Sequence, residues 1–413
     1  ETRLGHTAMS VGLIDTFVAV LAGLIIFPAA FSVGIEPDAG PSLIFITLPN
    51  VFQQAFSGVP LLAYVCSILF YVLLALAALT STISLHEVST AFLHEKFHFT
   101  RSKAATIITV SSLLIGIVSS LALGDWSSYT IAGMNLFDAL CQAFATTATG
   151  GFSTKQDSIS YWNSPYIEYV VSIFMILSGV NFSLYYFTLN GKYKKLLKDG
   201  ELHWFLTSIT VLTVIIAFAL FITGYYDIET AFRKALFQVA TTHTSCGFAT
   251  DDYNLWPTFT WMLLIFAMIS GGCTGSTSGG VKNLRLLIIF QNIKNQFKQM
   301  LHPRAVLPIH INNSQVPVQT TAMVYTFFVT YLICIFIGWT LLMCLGVGLT
   351  ESFSTVISAI GNVGPGLGTF GPVFSWSTLP DAAKWILSAL MLIGRLEIFG
   401  VLLLFNKRFW IDY

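Results

Sequence analysis

Charge is what this 413-residue chain has least of: Asp, Glu, Lys and Arg make up 10% of it, against about 25% in soluble domains. So little charge cannot cover a water-facing surface, which excludes an ordinary soluble globular domain. The charge present also cancels. Twenty basic and 20 acidic residues leave a formal net charge of zero, so no overall field draws the chain to nucleic acid. Cysteine is sparse and without pattern. Cys66, Cys141, Cys246, Cys273, Cys334 and Cys344 form no C-x-x-C pair and mostly lie in apolar or Gly/Thr-rich stretches. They read as small buried residues, which excludes a disulfide framework or a zinc ribbon. A phosphate-binding loop is missing too: the glycine-rich "SGGCTGSTSGG" at 270–280 lacks the G-x-x-x-x-G-K-[ST] pattern. Neither a methionine nor a signal peptide opens the chain at Glu1, as expected of a fragment.

Apolar residues fill the space that charge leaves, at 55%. A hydrocarbon core of roughly 30 Å takes about 20 apolar residues to cross. Spans are predicted near 9–33, 61–93, 104–123, 165–190, 204–225, 257–292, 317–347 and 382–405. The fold class is therefore an all-α polytopic membrane protein with about eight transmembrane helices. Fifteen of the 20 basic residues fall at the chain ends or in alternate loops: Arg3, Lys96, Arg101, Lys103, Lys192, Lys194, Lys195, Lys198, Lys282, Arg285, Lys294, Lys298, Arg304, Lys407 and Arg408. By the positive-inside rule that side is cytoplasmic, and so is the C-terminus of a multi-pass inner (plasma) membrane protein. The opposite loops carry Asp125, Asp157, Asp251, Asp252 and Asp381.

The topology closes only if three short segments do not cross. They are "MNLFDALCQAFATTATGGF" (134–152), "IETAFRKALFQVATTHTSCGF" (228–248) and "TESFSTVISAIGNVGPGLG" (350–368). Each offers about a dozen helix-compatible residues, then Thr, Ser and Gly, then a polar loop and a full span. They are predicted as re-entrant pore half-helices. Non-helical backbone at membrane depth leaves carbonyls without water, costing several kcal/mol each unless something replaces it. A dehydrated cation does so in carbonyl-lined filters, and glycine lets the backbone turn its carbonyls inward. The half-helices direct their negative C-terminal ends at mid-membrane, where a cation gains. Asp138 and Glu351 each lie 13 residues before a filter glycine and suit the N-terminal ends. Gly151, Gly247 and Gly364 recur at intervals of 96 and 117 residues, a span–pore–span internal repeat.

From about Met134 to the C-terminus, "TTATGGFST", "GFATDDYNLWP", "GGCTGSTSGGVKNLR" and "GNVGPGLG" together resemble the potassium-uptake pore subunits of the Trk/Ktr/HKT superfamily, of the TrkH type. The resemblance implies a selectivity filter at Ala148, Thr149, Gly150 and Gly151, at Thr244, Ser245, Cys246 and Gly247, and at Gly361, Asn362, Val363 and Gly364, with potassium as the bound and permeant ion. It implies that loop 270–280, with Gly271, Gly272, Gly275, Gly279 and Gly280, interrupts its span beneath the filter and gates conduction. Arg395, an ionisable residue inside an apolar span, is functional by default, and the family places a basic residue there as a barrier or gate partner; Glu397 is the structural alternative, a neighbour that satisfies it. The family also implies a homodimer, no covalent cofactor, and a nucleotide only through a cytosolic regulatory ring. It has four such repeats. Three are found here.

Residues 1–132 resemble another family, the sodium-coupled neurotransmitter/amino-acid symporters. "LIDTFVAVLAGLIIFPAAF", "GPSLIFITLPNVFQQAFSG", "ALAALTSTISLHEVSTAFL" and "TRSKAATIITVSSLLIGIVSSLALG" match its seventh span, a large loop, and its eighth and ninth spans. By that resemblance Asp15, Ala77, Thr80 and Ser81 correspond to sodium ligands. Taken as residues alone, Thr80 and Ser81 equally suit hydroxyls bonding back to their own helix. The chain is thus read as two pieces, 1–132 symporter-like and 133–413 pore-like with the first repeat missing. The shared "GMNLFD" at 133–138 marks the join of a chimeric reading frame, made inside 133–140 by recombination or by misassembly of short reads.

Two further classes compete. "HEKFH" (94–98) matches the zinc-protease pattern H-E-x-x-H, but it stands at a span end with no third ligand near in sequence, and no enzymatic role is expected. His243 is expected to flank the filter rather than to bind metal. A symporter fragment, or a product with no function, remains the alternative to a cation pore.

Overall fold

The computed structural model describes residues 101–404 except 124–129, 132, 306 and 313, together with scattered positions between 64 and 100. The expected span 9–33, most of 61–93, and the residues Asp15, Ala77, Thr80 and Ser81 lie outside the described residues. The chain divides into two compact units, 1–118 with 408–413, and 119–407. In the first, an exposed ion pair joins Glu87 to Arg101. Arg101 opens helix α1 (Arg101–Leu123), which runs on across the boundary and covers the expected span 104–123.

The second unit begins with a two-residue hairpin, β1 (Thr130–Ile131) and β2 (Met134–Asn135), paired antiparallel. The first half-helix, α2 (Leu136–Thr147), starts where Asn135 accepts the Asp138 N–H at 2.6 Å, a side-chain N-cap. Two helices then replace the single span expected at 165–190. They are α3 (Pro165–Ser178) and α4 (Phe182–Leu189), bent by 93° at the break. The sequence 179–181, Gly-Val-Asn, accounts for it: Asn181 leaves the helix and caps α4 by accepting the Ser183 N–H at 2.9 Å. A short α5 (Tyr193–Leu197) carries Lys194 and Lys195 in its last turn.

The second repeat follows as α6 (Gly200–Ile222), the half-helix α7 (Ile228–His243) and α8 (Thr258–Ser270). After loop 271–282 comes α9 (Asn283–Leu301), so the expected span 257–292 is interrupted where its glycines lie. A second hairpin, β3 (His310–Ile311) with β4 (Ser314–Gln315), precedes the third repeat. That repeat is α10 (Val318–Cys344), the half-helix α11 (Leu349–Gly361) and α12 (Asp381–Arg395). The expected span 382–405 is also broken. Leu396 and Glu397 separate α12 from α13 (Ile398–Leu404), with Glu397 at φ +55°.

The chain is an all-helical polytopic membrane protein in which α6 and α10 are long and apolar enough to cross alone. Among the described residues, three spans meet that test if α3 and α4 count as one. The half-helices hold 12, 16 and 13 residues, about 18–24 Å at 1.5 Å per residue, too short to cross. Each carries an acid in its first turn, Asp138, Glu229 and Glu351, where the helix dipole favours it. Two of them, α7 and α11, are also the most enclosed helices among the described residues. Helix α7 packs against α3, α6 and α8, and α11 against α8, α10 and α12. Val356, Ile357, Ala359 and Ile360 of α11 have no exposed surface.

One polar cluster inside this packing has no counterpart in the sequence reading. Glu168 of α3 is buried and accepts from Arg233 Nη1 at 2.6 Å and Lys234 Nζ at 2.9 Å, both on α7. Lys234 also donates to the Thr250 carbonyl at 2.9 Å, and Arg233 reaches Glu229 at 3.0 Å. The cluster ties the helix α3 to the half-helix α7. Removing one member of a buried pair strands the rest. Glu168→Ala is therefore expected to cost about 3–5 kcal/mol, whereas Lys384→Ala, which loses the exposed Asp381 partner, should cost less than about 1 kcal/mol. Thermal unfolding of the detergent-solubilised chain compares the two, and equal losses would refute the cluster's role.

Candidate pore and gating loop

The three half-helices end in the same way. At each, the residue two before the filter glycine turns left-handed: Thr149 at φ +50°, Ser245 at +53°, Asn362 at +54°. The residue one before the glycine returns its N–H to the carbonyl five residues back. These bonds are Gly150 to Ala145 at 2.8 Å, Cys246 to Thr241 at 2.9 Å and Val363 to Ser358 at 2.9 Å. Such a closure is a Schellman-type cap, which satisfies carbonyls that a helix end would otherwise leave open. The glycine follows at positive φ in all three, +67° at Gly151, +89° at Gly247 and +108° at Gly364. Motifs spaced 96 and 117 residues apart thus fold to one backbone geometry.

The capped ends stand side by side. A Cβ on Gly151 would run into the Cys246 carbonyl, and one on Gly247 into the Val363 carbonyl. At Gly364, nothing among the described residues lies within 4 Å of that position. The threonines are turned back onto the helices: Thr146 bonds to the Gln142 carbonyl at 2.6 Å, Thr242 to Gln238 at 2.6 Å and Thr244 to Ala240 at 2.7 Å. Their hydroxyls satisfy helix carbonyls. His243 is fully buried behind the second segment, stacked on Phe205 with 5.4 Å between ring centroids. Its nitrogens lie 2.9 Å from Ser208 Oγ and 3.2 Å from the Ala267 carbonyl, so it is a hydrogen-bonded strut from α7 to α6 and α8.

Loop 270–280 lies against all three ends. Thr149 Oγ1 is 3.0 Å from Thr277 Oγ1, the Gly279 N–H donates to Ser245 Oγ at 2.7 Å, and a Cβ on Gly279 would meet the Gly361 carbonyl. The loop also fills the break between α3 and α4. There the Cys273 N–H donates to the Gly179 carbonyl at 2.9 Å, and the Phe182 N–H to the Gly275 carbonyl at 3.2 Å. Gly271 and Gly280, both at positive φ, approach each other where the loop leaves and rejoins its span. Gly272 donates its N–H to Ser278 Oγ across the loop's neck.

Arg395 ends α12 and donates Nη1 to the Thr277 carbonyl at 3.0 Å. Asn362, its amide oriented by its hydrogen bonds, donates to the Met391 carbonyl and accepts the Arg395 backbone N–H, both at 3.2 Å. The third filter segment, α12 and the loop therefore meet at Arg395. Glu397 does not partner Arg395. It pairs with Arg285 at 2.7 Å, because the break after Arg395 turns it toward α9. A cavity of about 340 Å³ lies between the loop residues 276–280, Lys282, Arg395 and Glu397. Another of about 320 Å³ is lined by Gly247, Gly364, Pro365 and Trp376. Among the described residues, no group of three or more His, Cys, Asp or Glu side chains is placed to hold a metal ion. His94 sets its Nδ1 2.6 Å from the Phe99 carbonyl, and the rest of "HEKFH" lies outside the described residues.

Repeated apolar helices around short half-helices, whose capped ends meet against one loop, define a polytopic helical membrane protein. The chain matches the TrkH family, described as cation transport proteins, over residues 63–410, and it belongs to that family. It is 36% identical over 309 residues to the Trk system potassium uptake protein TrkH of Salmonella typhimurium, a match covering 74% of this chain and 63% of that protein. It is 38% identical over 283 residues to TrkG of Escherichia coli, covering 68% and 58%. The crystal structure of the potassium transporter TrkH from Vibrio parahaemolyticus superimposes with a TM-score of 0.65 at 33% identity, over 75% of this chain and 66% of that one. The chain thus spans less than two thirds of the length of these curated relatives.

The filter packing is testable without transport. Alanine at either Gly247 or Gly364 adopts a left-handed backbone costing about 1–2 kcal/mol, but only at Gly247 does the new Cβ meet a neighbouring segment's backbone. Gly247→Ala is expected to lower thermal stability in detergent by at least about 1 kcal/mol more than Gly364→Ala. Equal losses would refute the side-by-side arrangement.

Proposed function

We propose that this chain forms part of a pathway for potassium, a monovalent cation, moving down its electrochemical gradient across the bacterial inner membrane. The observation that carries the reading is the threefold recurrence of one capped turn, with the three turns in lateral contact and cavities beside them. Fixed carbonyls at such turns replace a cation's hydration shell, and the half-helix C-termini add a favourable dipole end. On this reading Ala148–Gly151, Thr244–Gly247 and Gly361–Gly364 form the filter, loop 270–280 is the gate, and Arg395 sets a positive barrier beneath it. The basic face is cytoplasmic and takes the C-terminus with it. The full-length protein pairs as a homodimer and docks a nucleotide-binding regulator there, as the family resemblance implies.

The symporter-like reading of 1–132, with a join inside 133–140, rests on sequence motifs alone. Uninterrupted sequencing of single genomic molecules across codons 100–160 decides between a natural frame and an artefactual join.

Transport is tested by rubidium uptake in potassium-limited cells expressing the chain with a first pore repeat restored at its N-terminus. Uptake above the empty-vector level is expected. In that background Gly247→Ser should shift the potassium/sodium preference by about tenfold, ~1.4 kcal/mol. A channel that conducts with unchanged preference would remove Gly247 from the filter.

A further inference from the structure

Glu201, in the first turn of α6, is 5% exposed. Among the described residues it has no ion-pair partner. All its contacts go instead to the loop and to the helix after it. Oε1 accepts the Thr274 N–H at 2.6 Å and the Leu284 N–H at 3.1 Å, and Oε2 accepts the Thr274 hydroxyl at 2.7 Å. Thr274 sits mid-loop and Leu284 in the first turn of α9. One carboxylate thus accepts from mid-loop and from the first turn of α9 together, next to that helix's positive end.

The residues just before Glu201 lead to an exposed element. Asp199 caps α6 by accepting the Leu202 N–H at 2.8 Å, and also accepts Asn312 Nδ2 at 2.6 Å. The Gly200 N–H donates to Asn312 Oδ1 at 2.7 Å. Asn312 lies in the β3–β4 turn at φ +53°. The hairpin is therefore bolted to the residue adjoining the one that holds the loop.

We propose that Glu201 is a positioning residue that clamps loop 270–280 against the filter ends, and that the hairpin, through Asn312, is the handle by which a load on the basic face loosens the clamp. The clamp is defined by these hydrogen bonds. Its effect on ion flow rests on the reading of the loop as the gate.

Cys273, beside Thr274 and 1% exposed, reports the loop directly. Inside-out membrane vesicles carrying the full chain are treated with N-ethylmaleimide, and labelling is resolved by peptide mass spectrometry, with the filter's Cys246, 2% exposed, as internal control. Losing charge-assisted bonds should raise local opening. Glu201→Gln is expected to speed Cys273 labelling about tenfold and Asn312→Ala about threefold, with Cys246 unchanged in both. Should Glu201→Gln fail to reach the membrane, Thr274→Val, which removes one donor, is expected to give about threefold. Unchanged Cys273 labelling overturns the proposal, as does a parallel rise at Cys246, which signals general loosening. Rubidium flux, read in vesicles carrying the same variants with a first pore repeat restored, separates the two readings: faster labelling with unaltered flux through a conducting chain upholds the clamp and refutes the gate.

Discussion

The structure depends on one constraint: a helix that stops inside a bilayer must do something with its last carbonyls. Water is absent there, and each open carbonyl costs several kcal/mol. The three half-helices meet the constraint identically, through a left-handed residue, a hydrogen bond from the next residue back into the helix, and a glycine. The geometry of the three turns is then a consequence of the cap. Once the chain has been turned left-handed at Ser245 and Asn362, the following carbonyls, of Cys246 and Val363, lie against Gly151 and Gly247, where only glycine leaves room. Thr146, Thr242 and Thr244 fit the same logic, since their hydroxyls bond to carbonyls of the preceding turn.

The breaks in the longer helices answer one another. Loop 270–280 would leave its own backbone groups unsatisfied at membrane depth, and the break at 179–181 would do likewise. Each supplies the other: Gly179 accepts from Cys273, and Phe182 donates to Gly275. Irregular backbone is tolerated in a membrane where it is buried in protein, and here two irregular stretches bury each other. The loop's position against the half-helix ends thus follows from the bend between α3 and α4 as much as from its own glycines.

Features written locally were legible in the sequence. The Thr/Gly endings gave away the re-entrant segments, Asp138 and Glu351 marked helix starts, and "SGGCTGSTSGG" marked a broken span, because each rests on residues adjacent in the chain. What depends on distant residues was not legible. Glu168 reads as one more charge at a span edge until Arg233 and Lys234 are seen against it. Glu201 reads as an ordinary first-turn acid until Thr274 arrives 73 positions later. The bend at Gly179–Asn181 passes for continuous helix because glycine and asparagine inside an apolar run are only weak breakers. Glu397, adjacent to Arg395 but for one leucine, was an obvious partner by proximity; the helix break sends it to Arg285 instead.

The contacts among the filter segments also carry a direction. Gly151 abuts the carbonyl before Gly247, and Gly247 abuts the carbonyl before Gly364, so each segment presents its glycine to the carbonyl of the next. Repeating the same relation once more would place a further backbone segment against Gly364, where none of the described residues stands within 4 Å. The same relation would set a further glycine against the carbonyl of Gly150, the residue before Gly151. A side-by-side row built by one repeated contact has two unlike ends, and a segment of the same geometry is the shape that fits both. The row is therefore completed or left open at Gly364 and Gly150, not at the better-packed Gly247 between them.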